Sequence, residues 1–91
     1  MASKEFRVIV PKNVARELKK LPRSDIARLF GAIESLAYDP QPPGCVKLKT
    51  KDLGEYRVRV GPYRIFYDVD DDELTVVIIA AKLRAEDTYK K

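Results

Sequence analysis

Two runs of alternating residues, Glu55 to Val60 and Tyr63 to Val69, flank Gly61-Pro62, and no other feature narrows the fold so far. Side chains alternate between faces along a strand. A two-residue connection with glycine first fits a type II′ turn, whose twist matches that of paired strands. That turn sets the register: Val60 lies opposite Tyr63, Arg59 opposite Arg64, Val58 opposite Ile65 and Tyr56 opposite Tyr67. One face then carries Tyr56, Val58, Val60, Tyr63, Ile65 and Tyr67, a set suited to burial under a second layer. The other carries Arg57, Arg59, Arg64 and Phe66.

The rest of the chain supplies that second layer. Phe6, Val8 and Val10 alternate with Glu5, Arg7 and Ile9, which predicts a strand ended by Pro11. Asn13 is a candidate cap for a short helix with apolar positions Val14, Leu18 and Leu21, closed by Pro22. Ser24 and Asp25 open a longer helix whose stripe is Ile26, Leu29, Phe30, Ile33, Leu36 and Ala37. Gly31 inside it predicts close packing on a neighbour. The short link makes the two helices an antiparallel hairpin. Asp39-Pro40-Gln41-Pro42-Pro43-Gly44 is a stiff connector to the sheet.

Val46 and Leu48, alternating with Lys47, Lys49 and Lys51, predict a strand with one basic face. Asp70-Asp71-Asp72 is a turn, and Leu74 to Ala81 is apolar on both faces, as a central strand is. Lys82 to Lys91 reads as a polar tail, with a short helix as the alternative. The order β-α-α-β-β-β-β predicts one α+β domain over residues 1–91, with the helices covering one face of a small, mostly antiparallel sheet of four to five strands. The uncovered face is left for function.

Charge sharpens that expectation. The 18 Lys and Arg exceed the 14 Asp and Glu by four, a balance that favours anionic partners. Like charges opposed across strands oppose folding by a few tenths to about 1 kcal/mol. Nothing in the fold requires Arg59 opposite Arg64. Three arginines around Phe66, with Lys47, Lys49 and Lys51 a strand away, make a phosphate-sized basic surface with an aromatic platform. The same residues also fit a solvated face neutralised by Glu55, Asp68 and Glu73.

What the chain lacks excludes other chemistries. Without histidine there is no histidine-based triad, no two-histidine nuclease pair and no histidine-ligated metal. Neither a phosphate-binding GxxxxGK[ST] loop nor a GxGxxG turn is present. Cys45 is the sole cysteine, so no internal disulfide forms, and a reducing cytoplasm is the expected compartment. It reads as a passive loop or edge residue. The turn Asp70 to Glu73 is rich in carboxylates but too short to wrap a cation, and no metal or cofactor is expected. No apolar run approaches the roughly 20 residues of a membrane span, and no signal-peptide core follows Met1.

The segment Gly54 to Asp70, GEYRVRVGPYRIFYDVD, resembles the central hairpin of toxins of the RelE/ParE superfamily. The Leu18-x-x-Leu21-Pro22 end of the first helix, the Asp39-Pro40 exit of the second and the order of elements resemble it too, so the likeness spans essentially the whole chain. It implies a RelE-like fold and the toxin of a type II toxin–antitoxin pair. RelE-like members are ribosome-dependent mRNA endonucleases; ParE-like members inhibit DNA gyrase. Both are held inactive by a cognate antitoxin, here expected to be a small acidic protein in a hetero-oligomer with the toxin.

For the nuclease branch the likeness implies metal-independent attack of a ribose 2′-hydroxyl on the adjacent phosphate. The family's basic pair falls on Arg57 and Arg59, its next arginine on Arg64 and its C-terminal tyrosine on Tyr89. Leu83 stands where many active members carry an arginine, and Arg84 or Lys82 is the candidate replacement. Lys47, Lys49, Lys51, Phe66 and Lys82 are the candidate RNA contacts. A gyrase inhibitor, and a weakly active or inactive homologue that serves as an antitoxin-binding module, remain alternatives.

Overall fold

A computed structural model describes residues 5–49 and 54–83. The elements are β1 (Arg7–Ile9), α1 (Lys12–Leu18), α2 (Arg23–Ser35), β2 (Val46–Lys47), β3 (Tyr56–Val60), β4 (Tyr63–Asp70) and β5 (Thr75–Leu83). They form one five-stranded sheet in the order β1-β5-β4-β3-β2. Every neighbouring pair is antiparallel except β1 with β5, which is parallel. The expected α+β arrangement of two helices on a small, mostly antiparallel sheet is what forms.

The hairpin registers as the alternation predicts, with Tyr56, Val58, Arg59 and Val60 opposite Tyr67, Ile65, Arg64 and Tyr63. Gly61 takes φ +59, the left-handed value that a type II′ turn needs at its first central residue, and Pro62 suits the second. A Cβ at Gly61 would also stand 2.6 Å from the Arg28 guanidinium, which lies across the turn.

The helices follow one another across residues 19–22, with α1 packed over β5 and α2 over β3. Val14, Leu18, Leu29, Ile33 and Leu36 meet Tyr63, Ile65, Tyr67, Val76 and Ile78 in one buried cluster. The helix-side residues expected of β3 and β4 all belong to it or pack against it.

Two polar links tie the layers together. Tyr63 Oη donates to Asp25 Oδ2 at 2.7 Å, joining the hairpin to the first turn of α2. Tyr67 Oη donates to the Pro40 carbonyl at 2.7 Å, joining the core to the proline loop. Both phenols are pushed above the ordinary tyrosine pKa: Tyr63 by its bond to Asp25 and then by burial, Tyr67 chiefly by burial.

Several local expectations are corrected. Asn13 does not cap α1; Pro11 precedes the helix, and no side chain caps it. Proline suits this place, because the first amides of a helix have no internal partner. Pro22 likewise stands before α2 rather than closing α1, which ends at Leu18. Gly31 is exposed, and a Cβ there would meet nothing within 4 Å, so no neighbour packs on it. The strand expected from Val46 onward is two residues long, because Leu48 passes to an irregular link after its amide bonds the Glu55 carbonyl at 2.8 Å.

Candidate nucleic-acid interface

The face of the sheet away from the helices is built from rows of paired residues. Arg59, Arg64 and Lys82 form one row across β3, β4 and β5. Val46, Arg57, Phe66 and Ala80 form the next, across four strands. Strands lie roughly 4.8 Å apart, so the first row sets three cations across about 10 Å of surface. Arg59 and Lys82 are exposed, while Arg57 and Arg64 are half-buried.

A bulge creates the first row. The β4–β5 ladder shifts by one residue between Phe66 and Tyr67. Without that shift Arg64 would face Ala81, and Lys82 would turn to the helix side, since a one-residue slip reverses every facing. With it, Lys82 stands opposite Arg64, and Leu83 stands opposite Tyr63, partly buried against the core. Bulges commonly re-aim side chains beside functional sites.

Arg57, Arg59 and Arg64 line one hollow of about 320 Å³ together with Pro43, Gly44 and Val46. Among the described residues the one salt bridge joins Lys20 to Glu17, far from this face in sequence and exposed to solvent, so no carboxylate pairs with Arg57 or Arg59 there. Of the acids expected to neutralise the arginines, Asp68 has a backbone partner. Asp68 Oδ1 accepts the Glu55 amide at 2.8 Å. Asp70 Oδ1 accepts the amides of Asp72 and Glu73 at 3.0 Å, so the acidic turn is a local Asx-type structure. These carboxylates line a separate hollow with Val77 and Thr75. The sheet face is therefore basic toward the β3–β4 turn and acidic toward the β4–β5 turn.

Such a surface can hold polyanions. Guanidinium groups donate in a planar fork that matches phosphate oxygens, and they stay protonated. They can bind and stabilise negative charge, but they cannot remove a proton. Tyr63 and Tyr67 cannot do so either, because both sit on the helix side with raised pKa values.

The remaining candidates divide. Lys47 pairs with Tyr56 and so projects from the helix side of the sheet, not with the arginines. Val46 takes the position on the arginine face that a lysine was expected to hold. Lys49 is exposed beyond the end of β2. Phe66 is on the arginine face but only 6% exposed, so it presents no open ring for stacking and is not the platform expected of it. Lys51, Arg84 and Tyr89 lie outside the described residues. The alternation did not reveal that Pro43 and Gly44 wall the site; the density of prolines was the available signal.

Comparisons with known proteins agree on one lineage. Residues 8–88 match the family described as the ParE toxin of the type II toxin–antitoxin system parDE. A protein named putative toxin RelE1, from Methanocaldococcus jannaschii, is 36% identical across 94% of this chain and 97% of its own. Toxin RelG of Mycobacterium tuberculosis is 35% identical across 84% of this chain and 86% of its own. A chain of the archaeal RelE–RelB complex of Pyrococcus horikoshii superposes with a TM-score of 0.77 at 30% identity, covering 88% of this chain and 96% of that one.

Proposed function

Because the chain belongs to the RelE/ParE toxin superfamily of type II toxin–antitoxin systems, on its RelE-like side, we propose that its arginine face binds and cleaves messenger RNA on the ribosome. The observation that carries this reading is the convergence of Arg57, Arg59 and Arg64 on one hollow, with Lys82 in register beside Arg64. Guanidinium groups gathered on one hollow suit an anionic ligand, whose oxygens their planar forks match.

In the proposed reaction a ribose 2′-oxygen gives its proton to a base and attacks the neighbouring phosphorus. The bond to the 5′-oxygen of the next nucleotide breaks, that oxygen takes a proton from water and leaves as a 5′-hydroxyl, and a 2′,3′-cyclic phosphate remains. Charge gathers on the non-bridging oxygens in the transition state. Fixed guanidinium donors stabilise it there, as an oxyanion hole stabilises acyl transfer. Lys82 adds a third column of positive charge and takes the place of the arginine that Leu83 does not provide. Tyr89 is the proposed base, or the group on which a nucleotide base stacks. The chemistry needs no cofactor from this chain.

The antitoxin is proposed to be a small acidic protein whose segment covers the basic end of the sheet, by charge complementarity. The similarity to a chain of a RelE–RelB complex supports a partner of this kind.

A second reading, gyrase inhibition, is favoured by the description of the matching family and by Leu83, which faces the core. Inducing the chain in cells separates the two. Codon-periodic breaks in translated messages within minutes support cleavage; intact messages with relaxed plasmid DNA support gyrase inhibition and overturn the nuclease.

A further inference from the structure

The proline loop, which the fold uses as a connector, also forms the apolar side of the arginine hollow. Pro43, Gly44 and Val46 line it together with Arg57, Val58, Arg59 and Arg64. Val46 is 42% exposed, and it pairs directly with Arg57. Directly opposed residues have Cβ atoms roughly 5 Å apart, so an apolar contact and a guanidinium are offered to the same ligand. At Gly44 the backbone is bare, with open space where a side chain would stand.

The wall is held from behind. The Tyr67 hydroxyl bonds the Pro40 carbonyl at 2.7 Å, and the Cys45 amide bonds the Pro42 carbonyl at 3.0 Å. Tyr67 is fully buried and stacked on Tyr56 with ring centroids 5.8 Å apart. Prolines restrict the backbone further. A wall fixed before the ligand arrives costs little ordering on binding.

A site that only gripped phosphate would gain nothing from an exposed valine. We infer that the hollow is a nucleotide subsite: the arginines take the phosphate, and the Pro43–Gly44–Val46 wall takes the ribose and base attached to it. This rests on the reading of the face as an RNA surface and adds which part of the nucleotide the loop contacts. The hollow's volume, about 320 Å³, is at the small end of the roughly 300–1,000 Å³ range of ligand pockets, which fits a single nucleotide. Apolar contact of this kind discriminates by base size and shape, so the loop is where a sequence preference at the cleaved position is set.

The test is a solution NMR titration of the full chain, labelled at backbone amides, valine methyls and arginine side chains. The probes are inorganic phosphate and adenosine 3′-monophosphate. Both should shift the arginine signals, but only the nucleotide should shift the Val46 methyls and the Gly44 amide. Val46→Thr, which keeps the shape and replaces a methyl with a hydroxyl, should weaken nucleotide binding about five-fold and leave phosphate binding unchanged. If the nucleotide moves the arginine signals and leaves Val46 and Gly44 still, the subsite is overturned while the anion face stands. If neither probe moves the arginine signals, the RNA reading fails and the subsite fails with it.

Discussion

On the helix side of β4, Tyr63, Ile65 and Tyr67 are buried within a cluster to which both helices contribute. On the other side of the same strand, Arg64 stands between Arg59 and Lys82. The first side follows apolar burial and satisfied hydrogen bonds. The second gathers like charges and places Val46 in solvent beside Arg57. One strand thus separates what stabilises the domain from what the domain presents to a ligand. The two sides should respond oppositely to mutation.

The largest expected effect is on the helix side. Ile65→Ala should destabilise by about 2–5 kcal/mol, because the removed methyl groups leave a cavity that rigid neighbours cannot fill. Urea unfolding measures it; a cost under about 1 kcal/mol would mean that the two sides are not energetically distinct. On the arginine side, Arg59→Ala should lower RNA cleavage about 100-fold or more, the scale of a lost transition-state donor. The same variant should unfold within about 0.5 kcal/mol of the parent, as surface changes do. Loss of both activity and fold would erase the distinction.

Tyr63→Phe should come next, costing about 1–2 kcal/mol at neutral pH through the lost bond to Asp25. Its pH dependence has a definite sign. The folded state raises the Tyr63 pKa and so binds that proton more tightly than the unfolded chain does. That contribution is complete below the unfolded value of about 10 and is lost as pH rises through the folded value. Alkaline melting curves of parent and variant should therefore converge; a gap that widens above pH 10 would contradict the assignment. The smallest effect is Arg59→Thr, which should raise stability by a few tenths of a kcal/mol by removing the like-charge pair. A fall of more than about 1 kcal/mol would show that Arg59 has a structural role.

The hairpin was legible because a two-residue turn and period-2 alternation are local signals, and both fix facing without knowledge of the rest of the fold. Arg57, Arg59 and Arg64 share a face for that reason alone. Lys82 was harder, since its facing depends on a one-residue shift between Phe66 and Tyr67 that no local pattern announces. Lys47 failed for a related reason: its side of the sheet depends on how a two-residue strand pairs with β3. Phe66 has the correct facing but the wrong exposure, and exposure is decided by what surrounds a residue in space. The proline loop was legible as stiff; its position beside the arginines depends on Tyr67 holding Pro40.

The most direct test uses a translating extract supplied with a defined message and the purified chain, as parent and as the Arg59→Ala/Arg64→Ala double variant. Melting curves establish that both are folded. The parent should cut the message and leave 2′,3′-cyclic phosphate ends, while the folded double variant leaves it whole. Cutting at the parent's rate by the double variant, or an intact message with the folded parent, would contradict the assignment of RNA chemistry to the arginine face.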